Sequence, residues 1–203
     1  MTAVFDYGAG NLRSVANTLE SVQAPFRLVS DAAGLESATR IILPGVGHYG
    51  QLLRSLDHLQ VRETLCARIA AGTPFLGICL GLQALFESSE EAPERGLGIY
   101  PGRVVRFPAD ARVPHMGWNR LAARGETRLL REIGAEPYVY FANSYYVPVS
   151  DSGGNAAALC SYAGKSFCAA LERDNVFGVQ FHPEKSGPVG QRIVRNFLAI
   201  EPC

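Results

Sequence analysis

Short apolar runs alternate with amphipathic stretches through the first half of the chain. Ala3–Asp6 reads as a strand and is followed by the turn Tyr7-Gly8-Ala9-Gly10-Asn11. Leu12, Val15, Ala16, Leu19 and Val22 then recur at helical spacing, with Asn11 placed as the N-cap. Phe26–Val29 and Arg40–Leu43 are two more apolar strands, the second closed by Pro44-Gly45-Val46-Gly47. Tyr49 to Ala71 reads as helix in two pieces. Next comes Thr73–Glu87, TPFLGICLGLQALFE. Thr73, Phe75, Leu76 and Ile78 have strand character, and Leu80, Leu82, Ala84, Leu85 and Phe86 predict a helix. The order β-α-β-β-α-β-α, with strands apolar on both faces, predicts an α/β fold with a mostly parallel central sheet flanked by helices.

Glu87–Arg95, ESSEEAPER, is expected to be a solvated loop. Beyond it the pattern shifts to strands separated by Gly, Pro and Asp turns: Gly102–Phe107, Trp118–Ala122, Tyr138–Phe141, Tyr145–Val149, Ala156–Tyr162 and Ser166–Glu172. These predict additional antiparallel strands in the C-terminal half. Val176–Phe181 is a further strand, and Gly190–Ile200 a closing helix with Ile193, Val194, Phe197 and Leu198 on one face. No repeat or linker interrupts the pattern, so one domain over residues 1–203 is expected.

Composition narrows the function classes. Hydrophobic residues make up 47%, which excludes a disordered chain. The formal net charge is zero, which leaves no electrostatic footprint for nucleic acid or an anionic membrane. No apolar run is long enough to span a bilayer, and the N-terminus lacks signal-peptide features. The five cysteines are scattered without a CxxC, against a zinc site or disulfide framework and in favour of a reducing cytoplasm.

Gly77-Ile78-Cys79-Leu80-Gly81 has the glycine–nucleophile–glycine spacing of a nucleophile elbow. A sharp strand-to-helix turn leaves no room for side chains two positions to either side of the tip. The same turn puts Cys79 at a helix N-terminus, which favours the thiolate. A buried structural cysteine is the competing reading. Of the four histidines, His58 is expected on an exposed helix face, His48 near the site, and His115 in a surface loop. His182 follows the strand Val176–Phe181, at the end where doubly wound sheets collect their sites. Glu184, two residues on, is placed to orient it. Gly45, Val46 and Gly47 suit an oxyanion hole, with a second N–H from Leu80.

LPGVGHYG, GICLGLQ and GVQFHPEKS, in this order, resemble the class I triad glutamine amidotransferases. DYGAGNLRSV, PGVG, PHMGWN, YFANSYYV and HPEKSG are similar to the glutaminase subunits of imidazole glycerol phosphate synthases, over Phe5 to Leu198. The resemblance implies a flavodoxin-like fold and a Cys79–His182–Glu184 triad that hydrolyses glutamine to glutamate and ammonia. It implies that Gln83 helps hold the substrate. It implies a heterodimer with a (β/α)8-barrel cyclase that receives the ammonia in histidine biosynthesis and forms imidazole glycerol phosphate and an aminoimidazole carboxamide ribonucleotide. Asn11, His115, Trp118, Tyr140 and Lys185 match positions at or near the subunit interface. No metal or organic cofactor is implied. At one position the chain departs from the family: Asn143 stands where histidine is frequent. An amide cannot carry a proton near neutral pH, so Asn143 is assigned no catalytic role.

Three other readings remain open at this level. A paralogous glutaminase would feed ammonia to another barrel enzyme in a surface-sugar pathway. A catalytically silent regulatory module would be expected to lack a triad member. A cysteine peptidase or esterase on the same elbow would act without a partner.

Overall fold

The structure, a computed structural model, describes residues 1–8 and 11–201. Ala9 and Gly10 of the first turn, and Cys203, lie outside the described residues. The first half builds four parallel strands. β1 (Thr2–Phe5) leads through α1 (Leu12–Ser21) to β2 (Phe26–Val29), then through α2 (Ala32–Glu36) to β3 (Arg40–Gly45). α3 (Tyr49–His58) and α4 (Arg62–Ala70) precede β4 (Phe75–Cys79) and the short α5 (Leu80–Gln83).

The remaining strands are β5 (Phe86–Ser89), β6 (Tyr100–Arg106), β7 (His115–Arg120), β8 (Ala122–Ala123), β9 (Tyr138–Asn143), β10 (Tyr145–Pro148), β11 (Ala156–Tyr162), β12 (Lys165–Arg173) and β13 (Val176–Val179). α6 (Gly187–Leu198) closes the described fold. The sheet runs β2-β1-β3-β4-β13-β12-β10-β6-β5, parallel as far as β13 and antiparallel from β13 through β6. β7 and β9 form a separate antiparallel pair.

Strand alternation divides the core in two. Val4, Ile42, Leu76 and Ile78 face one way and pack against Val15 and Leu19 of α1 and Ile193, Val194 and Phe197 of α6. Ala3, Phe5, Ile41, Leu43 and Phe75 face the other way, against Leu35, Leu52, Leu53, Leu56, Leu65 and Ile69 of α2, α3 and α4. The expected mostly parallel sheet with helices on both faces and antiparallel strands added later is the one present.

Several local expectations are corrected. The helix after Cys79 ends at Gln83, and Phe86–Ser89 is a strand parallel to β6. Leu80 to Phe86 are all buried, so their apolar run reflects burial on every side, and the β6 ladder overrides helix propensity. The charged stretch is therefore loop only after Ser89. A five-residue helix, α2, joins β2 to β3, too short to show a period; Asp31 caps it by accepting from Gly34 N–H. His115 lies in β7, buried, where the sequence predicts a surface loop. β3 extends through Gly45, which leaves Val46 and Gly47 as the turn.

Candidate active site

Cys79 is the last residue of β4 and the N-cap of α5, with φ 54° and ψ −105°. A non-glycine residue in this strained conformation marks a chain forced to reverse direction sharply. The neighbouring glycines show what forces it. A Cβ at Gly77 would strike the backbone of Gly81, and one at Gly81 would strike the Leu43 carbonyl of β3. Gly45, register partner of Cys79, would collide with Leu80.

β13 runs parallel to β4, with Gly178 opposite Gly77 and Val179 opposite Ile78. That register carries the chain beyond β13 to the level of Cys79 and delivers His182 there. β13 ends at Val179, two residues short of the expected strand, and the chain bends at Gln180 and Phe181. Pro183 then begins a single 3-10 turn, Pro183–Lys185, which folds Glu184 back. His182 Nδ1 lies 2.8 Å from Glu184 Oε1, with both side chains almost fully buried. Burial alone would push the His182 pKa down. Hydrogen bonds to the Cys79 sulfur and the Glu184 carboxylate, with the charges of both, outweigh it and hold the pKa up at about 10. Asn11 Nδ2 donates to the same Glu184 oxygen at 3.2 Å. Asn11 occupies the N-cap position of α1 but makes no side-chain cap bond, and its Oδ1 accepts from the Ser14 hydroxyl at 2.5 Å.

Cys79 and His182 open onto a pocket of about 290 Å³ lined by Val46, Gly47, Leu80, Gln83, Glu91, Asn143, Tyr145 and Lys185, among others. Val46 N–H donates to the Tyr7 hydroxyl at 3.1 Å, and that hydroxyl lies 3.3 Å from the Val46 carbonyl. Burial raises the Tyr7 pKa to about 12, so the hydroxyl is neutral. The Val46 N–H is thus turned to Tyr7, whereas Leu80 occupies the first helical position, where N–H groups lack intrahelical partners. Gln83 is buried and donates to Tyr145 O at 3.0 Å and Gln180 Oε1 at 2.9 Å. Asn143 Nδ2 donates to the same Tyr145 carbonyl at 2.9 Å.

Two features of the site escape sequence reasoning. Glu91, in the run expected to be solvated, accepts from Tyr49 N–H at 2.9 Å and borders the pocket. Gln180 is fully buried and lies 3.5 Å from Cys79 Sγ. A polar side chain within an otherwise apolar strand was its one available signal. His48 is exposed and caps α3, its Nδ1 accepting from Gly50 N–H at 3.1 Å; His58 is exposed.

The outward side chains of β7 and β9 form an apolar face beside this pocket. Met116, Trp118 and Tyr138 are 65%, 57% and 52% exposed, and Trp118 packs edge-on against Tyr140 with centroids 6.2 Å apart. The Lys185 ammonium lies 5.6 Å from the Tyr140 ring. His115 does not share this face. Its ring stacks between Tyr162 and Phe141, at 4.0 and 4.8 Å, and burial lowers its pKa to about 4.

A doubly wound sheet presenting a cysteine elbow and a His–Glu pair at its carboxyl edge agrees with the family the whole sequence matches. The chain belongs to the class-I glutamine amidotransferases, whose family profile matches residues 3–200. A solved glutamine amidotransferase shares the fold, with a TM-score of 0.77 at 20% identity, covering 97% of this chain and 96% of its own. Within the family, the chain groups with the HisH subunits of imidazole glycerol phosphate synthase. It is 47% identical over 202 residues to subunit HisH of Methanothermobacter thermautotrophicus, covering 98% of each chain. It is 44% identical to the chloroplastic imidazole glycerol phosphate synthase hisHF of Arabidopsis thaliana, covering 98% of this chain and 34% of that protein.

Proposed function

We propose that this chain is the glutaminase subunit of an imidazole glycerol phosphate synthase, with Cys79 as nucleophile. The observation that carries the proposal is Cys79 at a strained elbow, sharing one pocket with a His182 that Glu184 holds at 2.8 Å. His182 is placed to take the thiol proton, which turns the sulfur into the attacking thiolate. The thiolate attacks the side-chain carbonyl carbon of glutamine. The resulting oxyanion is held by Leu80 N–H and by the Val46–Gly47 turn once its N–H leaves Tyr7. His182 gives its proton to the departing nitrogen, releasing ammonia and leaving a glutamyl thioester. Neutral His182 then takes a proton from water, which cleaves the thioester to glutamate and restores the thiolate.

The pocket offers charges for both ends of an amino acid: Glu91 for the α-ammonium and Lys185 for the α-carboxylate. Gln83 adds a buried Oε1 with no partner among the described residues. The ammonia passes to a (β/α)8-barrel cyclase docked on the β7–β9 face, as part of histidine biosynthesis. The fusion of a HisH-like segment into the longer hisHF relative supports a partner that works in contact with it. The free thiols of Cys66, Cys79, Cys160 and Cys168 fit a cytoplasmic location.

The test is Cys79→Ala in complex with the cyclase. Glutamine-dependent synthesis should disappear while synthesis from added ammonia continues. Glutamate release from glutamine at the wild-type rate would eliminate Cys79 as the nucleophile.

A further inference from the structure

Gln180 stands between the end of β13 and His182 and has no part in the triad. Gly178, near the end of β13, is closed against Leu82 of α5. Beyond Val179 the chain bends at Gln180 and Phe181, and the Gln180 amide faces Cys79. We propose that Gln180 is a positioning residue that fixes the Cys79 sulfur and favours its ionised form, itself aimed by a relay of side-chain amides. The proposal rests on Cys79 being the nucleophile.

The relay begins at the Tyr145 carbonyl. A carbonyl only accepts, so the Gln83 group facing it at 3.0 Å must be the amide nitrogen. The second hydrogen of that nitrogen points to Gln180 at 2.9 Å, and the group receiving it must be the oxygen. Gln180 is thereby left with its nitrogen toward Cys79 Sγ, at 3.5 Å. Flipping either amide would set two oxygens or two NH2 groups face to face in a buried site, where an unpaired polar contact is costly. The orientation of Gln180 is therefore decided two residues away, by backbone.

A thiol accepts such a bond weakly and a thiolate strongly, so the donor acts differentially on the ionised sulfur. The titratable groups facing Cys79 are His182, with Glu184 behind it, and the Tyr7 phenol. Gln180 adds a neutral donor that cannot lose a proton as His182 does. It thus remains in place while His182 gives its proton to ammonia and takes another from water.

Iodoacetamide alkylation tests this without requiring glutamine to bind. The Cys79 peptide is followed by mass spectrometry across the pH range in the full chain, for wild type, Gln180→Met and Gln83→Leu. Gln180→Met should raise the half-maximal pH by about one unit and slow alkylation at neutral pH about tenfold. Gln83→Leu, which frees the Gln180 amide, should shift the profile in the same direction by less. A wild-type profile in either variant overturns the proposal. Should a variant not fold, the 15N-labelled wild type serves: the Gln180 side-chain amide resonance should move with the ionisation of Cys79, and a flat resonance overturns the proposal. These readouts are separate from the Cys79→Ala experiment, which tests the nucleophile itself.

Discussion

His182 and Glu184 are two residues apart in sequence and 2.8 Å apart in space, and both are shielded from water. Pairing in that environment ties stability to the protonation of His182. Its folded pKa, about 10, lies above the ordinary 6.5. The imidazolium therefore stabilises the folded chain in full below the ordinary value, and the contribution fades as pH rises toward about 10. Glu184→Gln removes the charge that helps hold the proton. Its thermal midpoint should fall furthest below wild type near pH 6 and approach wild type near pH 10, in melts across that range. A gap that widened toward pH 10 would contradict the charge pairing. At this scale the triad was legible because its chemistry is written in adjacent residues, GICLG and HPE. The four glutamates of ESSEEAPER were not separable. Glu87 accepts from Gly102 N–H. Glu90 accepts from Arg106 N–H, Glu94 pairs with Arg54, and Glu91 turns to the pocket. Nothing local distinguishes them, because each is positioned by a distant residue of β6 or α3.

The elbow is held by its neighbours as much as by its own glycines. Gly81 packs against the Leu43 carbonyl of β3, so the tip of the turn is wedged between two parallel strands. Gly81→Ala should cost at least about 2 kcal/mol in chemical denaturation and suppress glutamine hydrolysis, since neither backbone can yield without moving Cys79. Gly98→Ala provides the comparison. Gly98 has positive φ but open space around it, so its cost should stay near about 1 kcal/mol. Equal losses in the two variants would mean that backbone strain, not collision, makes glycine necessary at 81. The elements around the elbow were legible wherever a period was long enough to count. α5 was overextended because four helical residues and a buried strand give the same apolar run.

Across the molecule, the exposed β7–β9 face is joined to the triad by backbone. Tyr140 C=O accepts from His182 N–H at 2.8 Å, and Tyr140 N–H donates to the Ser186 hydroxyl at 3.0 Å. The Tyr140 ring at the same time stands beside Trp118 and Lys185 on the outside. A partner seated on that face would press on the residue that positions His182. The engagement of Val46 N–H by Tyr7 gives such pressure something to change. The cyclase should therefore raise glutamine hydrolysis well above that of the chain alone. Trp118→Ala should raise the cyclase concentration for half-maximal activation about 30-fold, with thermal stability within about 0.5 kcal/mol of wild type. Activation at the wild-type cyclase concentration would remove Trp118 from the interface.

The sequence by itself determined the parallel sheet, the order of its strands and helices in outline, the elbow, the His–Glu pair and the amidotransferase resemblance. Each of these is carried by hydrophobic period or by chemistry within a few residues. The tertiary structure decided what depends on register between distant strands. It placed His115 inside an aromatic stack, left Trp118 outside, turned Val46 to Tyr7 and set Gln180 against Cys79. The reason is that β4 and β13 are about a hundred residues apart along the chain, as is Gln180 from Cys79, separated by 101 positions, and only their pairing makes the two one site.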